Sequence, residues 1–207
     1  MIICINGNPG AGKSTLGESL VKLNKNKGIY KIKVVETDDI DDGICLDLIK
    51  HAGKQATDKD LPALRKKRKT MYKATIVDLI KKYTNNDVVL VFVGILHHDE
   101  DLFANIKLKY YIDIDPETNF KQLLTRTAND ICKNKDAIIS ALTNNTDKPG
   151  IANKLLLHKY KIRSDFPIGY DDFIKRYKKK RTEHKKKGYK LATKEEIYSN
   201  IQKIIKK

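Results

Sequence analysis

Tryptophan is absent from this 207-residue chain, proline occurs only five times and cysteine only three times. The cysteines, Cys4, Cys45 and Cys132, are an odd number set far apart, with no C-x-x-C pair among them. That spacing argues against a disulfide-stapled secreted scaffold, a zinc knuckle or dithiol redox chemistry, and reduced structural thiols are expected instead. No apolar run approaches the roughly 18 residues of a membrane span, so no membrane partner is expected. The opening Met1 to Asn6 is too short for the core of a signal peptide and leads directly into a motif that cleavage would destroy. A cytoplasmic, reducing location follows as the expectation. Arginine is scarce as well: of 42 basic residues only Arg65, Arg68, Arg126, Arg163, Arg176 and Arg181 are arginines.

That scarcity discounts the formal charge of +16 as a sign of nucleic-acid binding. Lysine lacks the planar fork that reads phosphates and base edges, and a chain rich in Lys, Asn and Ile also arises from AT-rich codons. The densest run, Lys175 to Lys187, is either a solvated face or a surface for nucleic acid. With 40% apolar and 33% charged residues, the chain is expected to bury one core as a single domain over 1–207.

The apolar pattern alternates between strand-like and helix-like segments. Ile2 to Ile5 is a short β-branched run ending at Asn6-Gly7, a buried strand and a tight turn. A helix is expected from Ser14, with Leu16, Leu20, Val21 and Leu23 recurring at helical spacing and Gly28 as its cap. A second strand covers Lys31 to Glu36 and runs into an acidic turn, Thr37 to Gly43. Helices are expected at Ile44–His51 and at Leu61–Tyr83, the latter announced by Asp60-Leu61-Pro62. Asp87 to Val93 is the most apolar stretch and reads as a central strand beside the first. Tyr110 to Asp115 reads as a fourth strand, and Asp115-Pro116-Glu117 supplies an N-cap, a first-turn proline and an acidic first turn. From 130 to 187 the pattern weakens, as expected of an inserted basic helical lid. Order returns with a last short strand at Tyr189–Leu191 and a capping box, Thr193-Lys194-Glu195-Glu196. Strands alternating with helices imply right-handed crossovers: an α/β fold whose mainly parallel sheet of about five strands carries helices on both faces.

The chemistry is concentrated at Gly7-Asn8-Pro9-Gly10-Ala11-Gly12-Lys13-Ser14, which satisfies G-x-x-x-x-G-K-[ST]. Glycines let the backbone wrap closely around phosphate oxygens and aim successive N–H groups inward. Lys13 brings a point charge to the β- and γ-phosphates, the Ser14 hydroxyl is a Mg²⁺ ligand, and the following helix directs its positive end at the same anion. A strand before the loop and an amphipathic helix after it are the context this motif requires. ATP with Mg²⁺ is therefore the expected cofactor pair, held by Gly7 through Ser14 together with Thr15.

These residues resemble the nucleoside- and nucleotide-kinase-like branch of P-loop proteins, which includes the adenylate, shikimate and gluconate kinases. The resemblance spans most of the chain: the Gly7–Thr15 loop, the acidic end of the second strand, Tyr110–Asp115 with the following Arg126, and the finish from Gly188 to Ile205. It implies a three-layer P-loop NTPase fold and ATP- and Mg²⁺-dependent phosphoryl transfer to a small molecule, a nucleoside or nucleoside monophosphate first of all. It further implies that Asp38 acts as base or metal partner, that Asp39, Arg65 and Arg68 lie on the acceptor side, and that Arg126 neutralises the transferred phosphoryl group. Arg163, Arg176 and Arg181 are the candidate lid donors. His97, with His98, would sit at the carboxyl edge of the sheet as a substrate contact rather than a zinc ligand. The strand 88–93 ends in Gly94 where many P-loop ATPases carry a metal-holding aspartate, which speaks against a motor or a GTPase. Two alternatives stay open: a polynucleotide end kinase that uses the basic run to hold a strand, and a non-catalytic nucleotide- or nucleic-acid-binding protein.

Overall fold

The structure is a computed structural model and describes residues 1–25, 30–52, 60–84, 87–94, 104, 106–136, 139 and 169–206. Five strands form one parallel sheet: β1 (Ile2–Gly7), β2 (Lys31–Glu36), β3 (Val88–Val93), β4 (Leu108–Ile112) and β5 (Lys190–Ala192), in the spatial order β2-β3-β1-β4-β5. The helices described are α1 (Lys13–Lys22), α2 (Thr37–Ala52), α3 (Leu61–Thr84), α4 (Pro116–Lys133), α5 (Tyr170–Lys186) and α6 (Lys194–Lys206), with a 3-10 turn at Leu23–Lys25.

The alternation of β1 explains how both faces of the sheet are covered. Ile3 and Ile5 join Leu16 and Leu20 of α1 and Ile197 and Ile201 of α6 in one apolar cluster, all nearly or fully buried. Cys4 and Asn6 point the other way. Cys4 Sγ lies 3.5 Å from the Tyr189 hydroxyl, and Asn6 Nδ2 lies 2.8 Å from Nε2 of His184 on α5. Burial pushes the Cys4 thiol up to about 11, so it is an inert core group and not a nucleophile.

The chain resolves into two compact units. The first comprises Met1–Asp38, Ile76–Leu123 and Tyr170–Lys207 and holds the whole sheet; the second comprises Asp39–Thr75 and Leu124–Gly169. The lysine-rich segment 170–187, expected to be part of the 130–187 lid, thus groups with the sheet. Its helix α5 buries Phe173, Tyr177 and His184 on one side, an apolar and aromatic stripe that the surrounding lysines mask in the sequence.

Three boundaries differ from the sequence expectation. The acidic segment Thr37–Gly43 is not a turn but the first two turns of α2, which starts at Thr37 and absorbs the helix expected at 44–51. Carboxylates are favoured in a first helical turn by the peptide dipoles, so the same aspartates that suggest a turn also serve a helix start. Strand β4 ends at Ile112 rather than Asp115, and β5 is shifted by one residue from 189–191 to 190–192. The two capping signals were legible: Thr118 N donates to Asp115 Oδ2 at 2.8 Å, and Thr193 N donates to Glu196 Oε2 at 2.8 Å while Glu196 N donates to Thr193 Oγ1 at 3.2 Å. Gly28 lies outside the described residues.

Candidate functional site

The site starts at the carboxyl end of β1, in the first unit. Gly10 and Gly12 adopt φ of 80° and 81°, the left-handed region that a side chain resists, and Gly12 caps α1 without any side-chain hydrogen bond to its first amides. Those amides stay available to an anion. Lys13 Nζ reaches back over the loop and donates to the carbonyls of Gly7 and Asn8, each at 3.1 Å. Ala11 N donates to Asn8 O at 3.1 Å and closes the turn.

Two long-range contacts fix this loop. Asn119 of α4, wholly buried, donates from Nδ2 to Pro9 O at 2.9 Å. A side chain on Gly10 would collide with the backbone of Leu123, 3.0 Å away at its nitrogen, so α4 presses directly on the loop. From the other face, Gly7 N donates to Asn6 Oδ1 at 2.7 Å, and Asn6 in turn engages His184. His184 Nδ1 lies 2.7 Å from Lys180 O, a pure acceptor, so Nδ1 carries the proton and Nε2 accepts from Asn6. The Asn8 amide nitrogen is buried without an acceptor among the described residues, one donor left over inside the loop.

Glu36 is the residue that the sequence reading overlooked. It closes β2, pairs in register with Val93, and accepts from Ser14 Oγ at 2.9 Å through Oε2. Helix α1 comes close enough for this because Gly17 has no side chain: a methyl there would meet Glu36 Oε1 and Val34 Cγ1 at 3.3 Å. A hydroxyl that gives its proton to a carboxylate keeps its lone pairs for a hard cation, so Ser14 and Glu36 form an oxygen donor set suited to Mg²⁺. Asp38, the residue expected beside the metal, is exposed at the start of α2, with Oδ1 3.3 Å from where a Gly94 side chain would begin.

Gly94 itself explains the missing strand-end aspartate. Its φ is 122°, and a Cβ would overlap Thr37 Oγ1, which donates to Val93 O at 3.3 Å. No side chain fits at that strand end; Asp38 Oδ1 comes within 3.3 Å of where one would begin, and Glu36, in register with Val93, closes the neighbouring strand. At the end of β4, Asp113 is held by Arg181 of α5 through two hydrogen bonds, 2.8 Å from Nε and 2.7 Å from Nη2. The guanidinium keeps the Asp113 carboxyl below the usual range, and the bond turns Arg181, a candidate lid donor, into a tie between α5 and the sheet.

An open groove of about 510 Å³ continues from the loop between α1 and α6, lined by Thr15, Leu16, Ser19, Lys22, Lys194, Glu195 and Tyr198. In the second unit, Arg68 is engaged by both carboxylate oxygens of Asp41, 2.7 Å from Nε to Oδ1, while Arg65 and Asp39 are exposed. Arg126, half-exposed, faces Asp130 at 3.7 Å one helical turn on. Arg176 is exposed on α5. His97, His98 and Arg163 lie outside the described residues. Among those described, no group of three His, Cys, Asp or Glu side chains could hold a metal by itself, and no helix is long and apolar enough to cross a membrane.

A family model described as AAA domain matches residues 3–140, from β1 past the end of α4. The chain belongs to the AAA-domain family. Its glycine loop, parallel sheet and uncapped α1 are thus the nucleotide-binding core of an AAA-domain protein, and the P-loop assignment made on the residues agrees with it. Among solved structures, the one titled "Crystal structure of APE1195" is similar at 14% identity and a TM-score of 0.43, over 78% of this chain and 93% of that one. No curated protein matches the chain.

Proposed function

We propose that the protein is an ATP- and Mg²⁺-dependent phosphotransferase acting on a small acceptor, a nucleoside or nucleoside monophosphate by preference. The observation that carries this reading is the 2.9 Å bond from Ser14 to Glu36 beside a loop whose lysine already caps its own carbonyls. It pairs a phosphate cradle with oxygen donors for the metal that accompanies a nucleoside triphosphate. Mg²⁺, when bound, would neutralise charge on the β- and γ-phosphates.

The chain's own residues do the rest. Loop amides and Lys13 bind the polyphosphate, Ser14 and Glu36 hold the metal side, and the groove between α1 and α6 takes the nucleoside end. Asp38, exposed beside Gly94, would accept a hydroxyl proton from an acceptor. Asp39, Arg65 and Arg126 keep the acceptor and phosphoryl roles that the kinase resemblance gives them. Arg68 would have to leave Asp41 to join them. The test is a panel of nucleosides, nucleoside monophosphates, sugars, sugar acids and short oligonucleotides assayed for ATP consumption. Turnover on a free nucleoside or monophosphate is expected, abolished in Lys13→Ala. Tight ATP binding with no turnover on any acceptor would leave the non-catalytic reading instead.

One observation favours a second reading, the polynucleotide end kinase. Helix α5 buries its aromatic stripe and exposes Lys175, Arg176, Lys178, Lys179, Lys185 and Lys186. Turnover on oligonucleotide ends that falls steeply with salt would select it.

A further inference from the structure

We propose that Lys194 is a second phosphate-binding cation of the site, laid across the glycine loop from the opposite end of the chain. The inference rests on the reading of that loop as a polyphosphate cradle and adds a residue to it. The stem of Lys194 lies over Gly12: a methyl group at Gly12 would come within 3.1 Å of Lys194 Cδ and 3.2 Å of Nζ. Its ammonium therefore stands at the residue that precedes Lys13 and caps α1, on the side where the first amides of that helix have no side-chain partner.

The charge is out of place for any purely structural purpose. Lys194 is the first residue of α6, where the peptide dipoles favour an anion, and the neighbouring Glu195 and Glu196 meet that preference. Lys13, the residue after Gly12, carries a second ammonium, which takes the carbonyls of Gly7 and Asn8. Among the described residues, no carboxylate pairs with Lys194. A cation at the positive end of a helix, with no carboxylate pairing it among the described residues, disfavours the free protein and favours one carrying an anion beside it.

Location says which anion. Lys194 lines the groove together with Thr15, Ser19 and Tyr198, so it stands where the phosphate loop opens into the space between α1 and α6. A ligand with phosphates in the loop and an aromatic or sugar body in the groove passes under it. The class that fits is a nucleoside di- or triphosphate.

Calorimetry with ATP·Mg and ADP·Mg, paired with thermal melting, tests this on the full chain. Lys194→Met keeps the stem over Gly12 and removes the charge; Lys194→Arg keeps the charge. For the Met variant the expected result is about tenfold weaker binding of both nucleotides and a flatter salt dependence. The same substitution should raise Tm in the absence of nucleotide by about 1–2 °C, because a cation leaves the positive end of α6. Lys194→Arg should bind within about threefold of wild type. Equal affinity in wild type and Lys194→Met, with Lys13→Ala defective, overturns the inference and leaves the phosphate loop standing. A weaker Met variant with a lowered Tm and no recovery in the Arg variant also overturns it, since that is the signature of lost packing. Wild type without affinity for either nucleotide overturns the loop reading and this inference with it.

Discussion

Two adjacent parallel strands, β1 and β3, are each followed by glycine of positive φ, and the two turns do different things. After β1, Gly10 at 80° admits the backbone of Leu123 and the Asn119 amide, while Gly12 at 81° lies under the Lys194 stem beside the unspent first amides of α1. After β3, Gly94 at 122° clears space for the protein's own Thr37, whose hydroxyl fills it and bonds Val93 O. The lesson concerns the metal side of the site. A glycine at a strand end is not a vacancy for a lost aspartate when a neighbouring helix start already occupies it; the carboxylate that meets Ser14 is that of Glu36, at the end of the next strand. A third end, that of β4, shows a different closure: Asp113 is present but committed to Arg181.

The sharpest way to break this comparison is to restore the aspartate. Gly94→Asp is expected to cost at least about 3 kcal/mol of stability, because it forces a side chain onto Thr37 at a φ that only glycine tolerates. Chemical denaturation of the variant measures it. A stable Gly94→Asp protein with strengthened Mg²⁺ dependence would show that the strand end was open after all.

A smaller effect is expected at the position that took over. Glu36→Gln keeps the hydrogen bond to Ser14 in form but removes the charge, so the gain in ATP affinity that Mg²⁺ brings should shrink by about tenfold, about 1.4 kcal/mol. Titrations with and without Mg²⁺ read this directly. Asp38→Asn, by contrast, should leave the Mg²⁺ effect on ATP affinity intact and act only on turnover.

Anchoring of the β1 loop is tested at Asn119. Asn119→Ala removes the bond to Pro9 O and should lower stability by about 1 kcal/mol, with a modest loss of nucleotide affinity from a looser cradle. The β4 end gives the smallest effect. Asp113 is held below its usual range by Arg181, so its folded pKa is lower than its unfolded one. The pair therefore stabilises above the unfolded value, near 4, and the contribution is lost as pH falls through the lowered folded value. The stability gap between wild type and Asp113→Asn should be flat from pH 7 to about 5 and close below about pH 4. Both side chains are partly exposed, so the gap at neutral pH is expected to stay within about 1 kcal/mol.

What the sequence made legible was local. The loop Gly7–Ser14, the apolar β3, the N-cap at Asp115 and the capping box at Thr193 are each written within a few residues, and the parallel sheet follows from strands alternating with helices. What stayed hidden depends on contacts between distant segments. Glu36 looked like the polar end of an alternating strand, and only the absence of a side chain at Gly17 brings α1 close enough for Ser14 to reach it. Asp38 through Gly43 carried turn-forming residues, yet they open α2. Lys194 belongs by sequence to an ordinary capping box, and nothing within the linear pattern links it to Gly12.

The central claim is that the backbone from Gly7 to Ser14 grips polyphosphate with Lys13 reaching in. Calorimetric titration of ATP·Mg into wild type and Lys13→Ala tests it most directly. Micromolar affinity in wild type, weakened by about a hundredfold or more in the variant, is the predicted result. No measurable affinity in wild type, or the same affinity in both proteins, would contradict it.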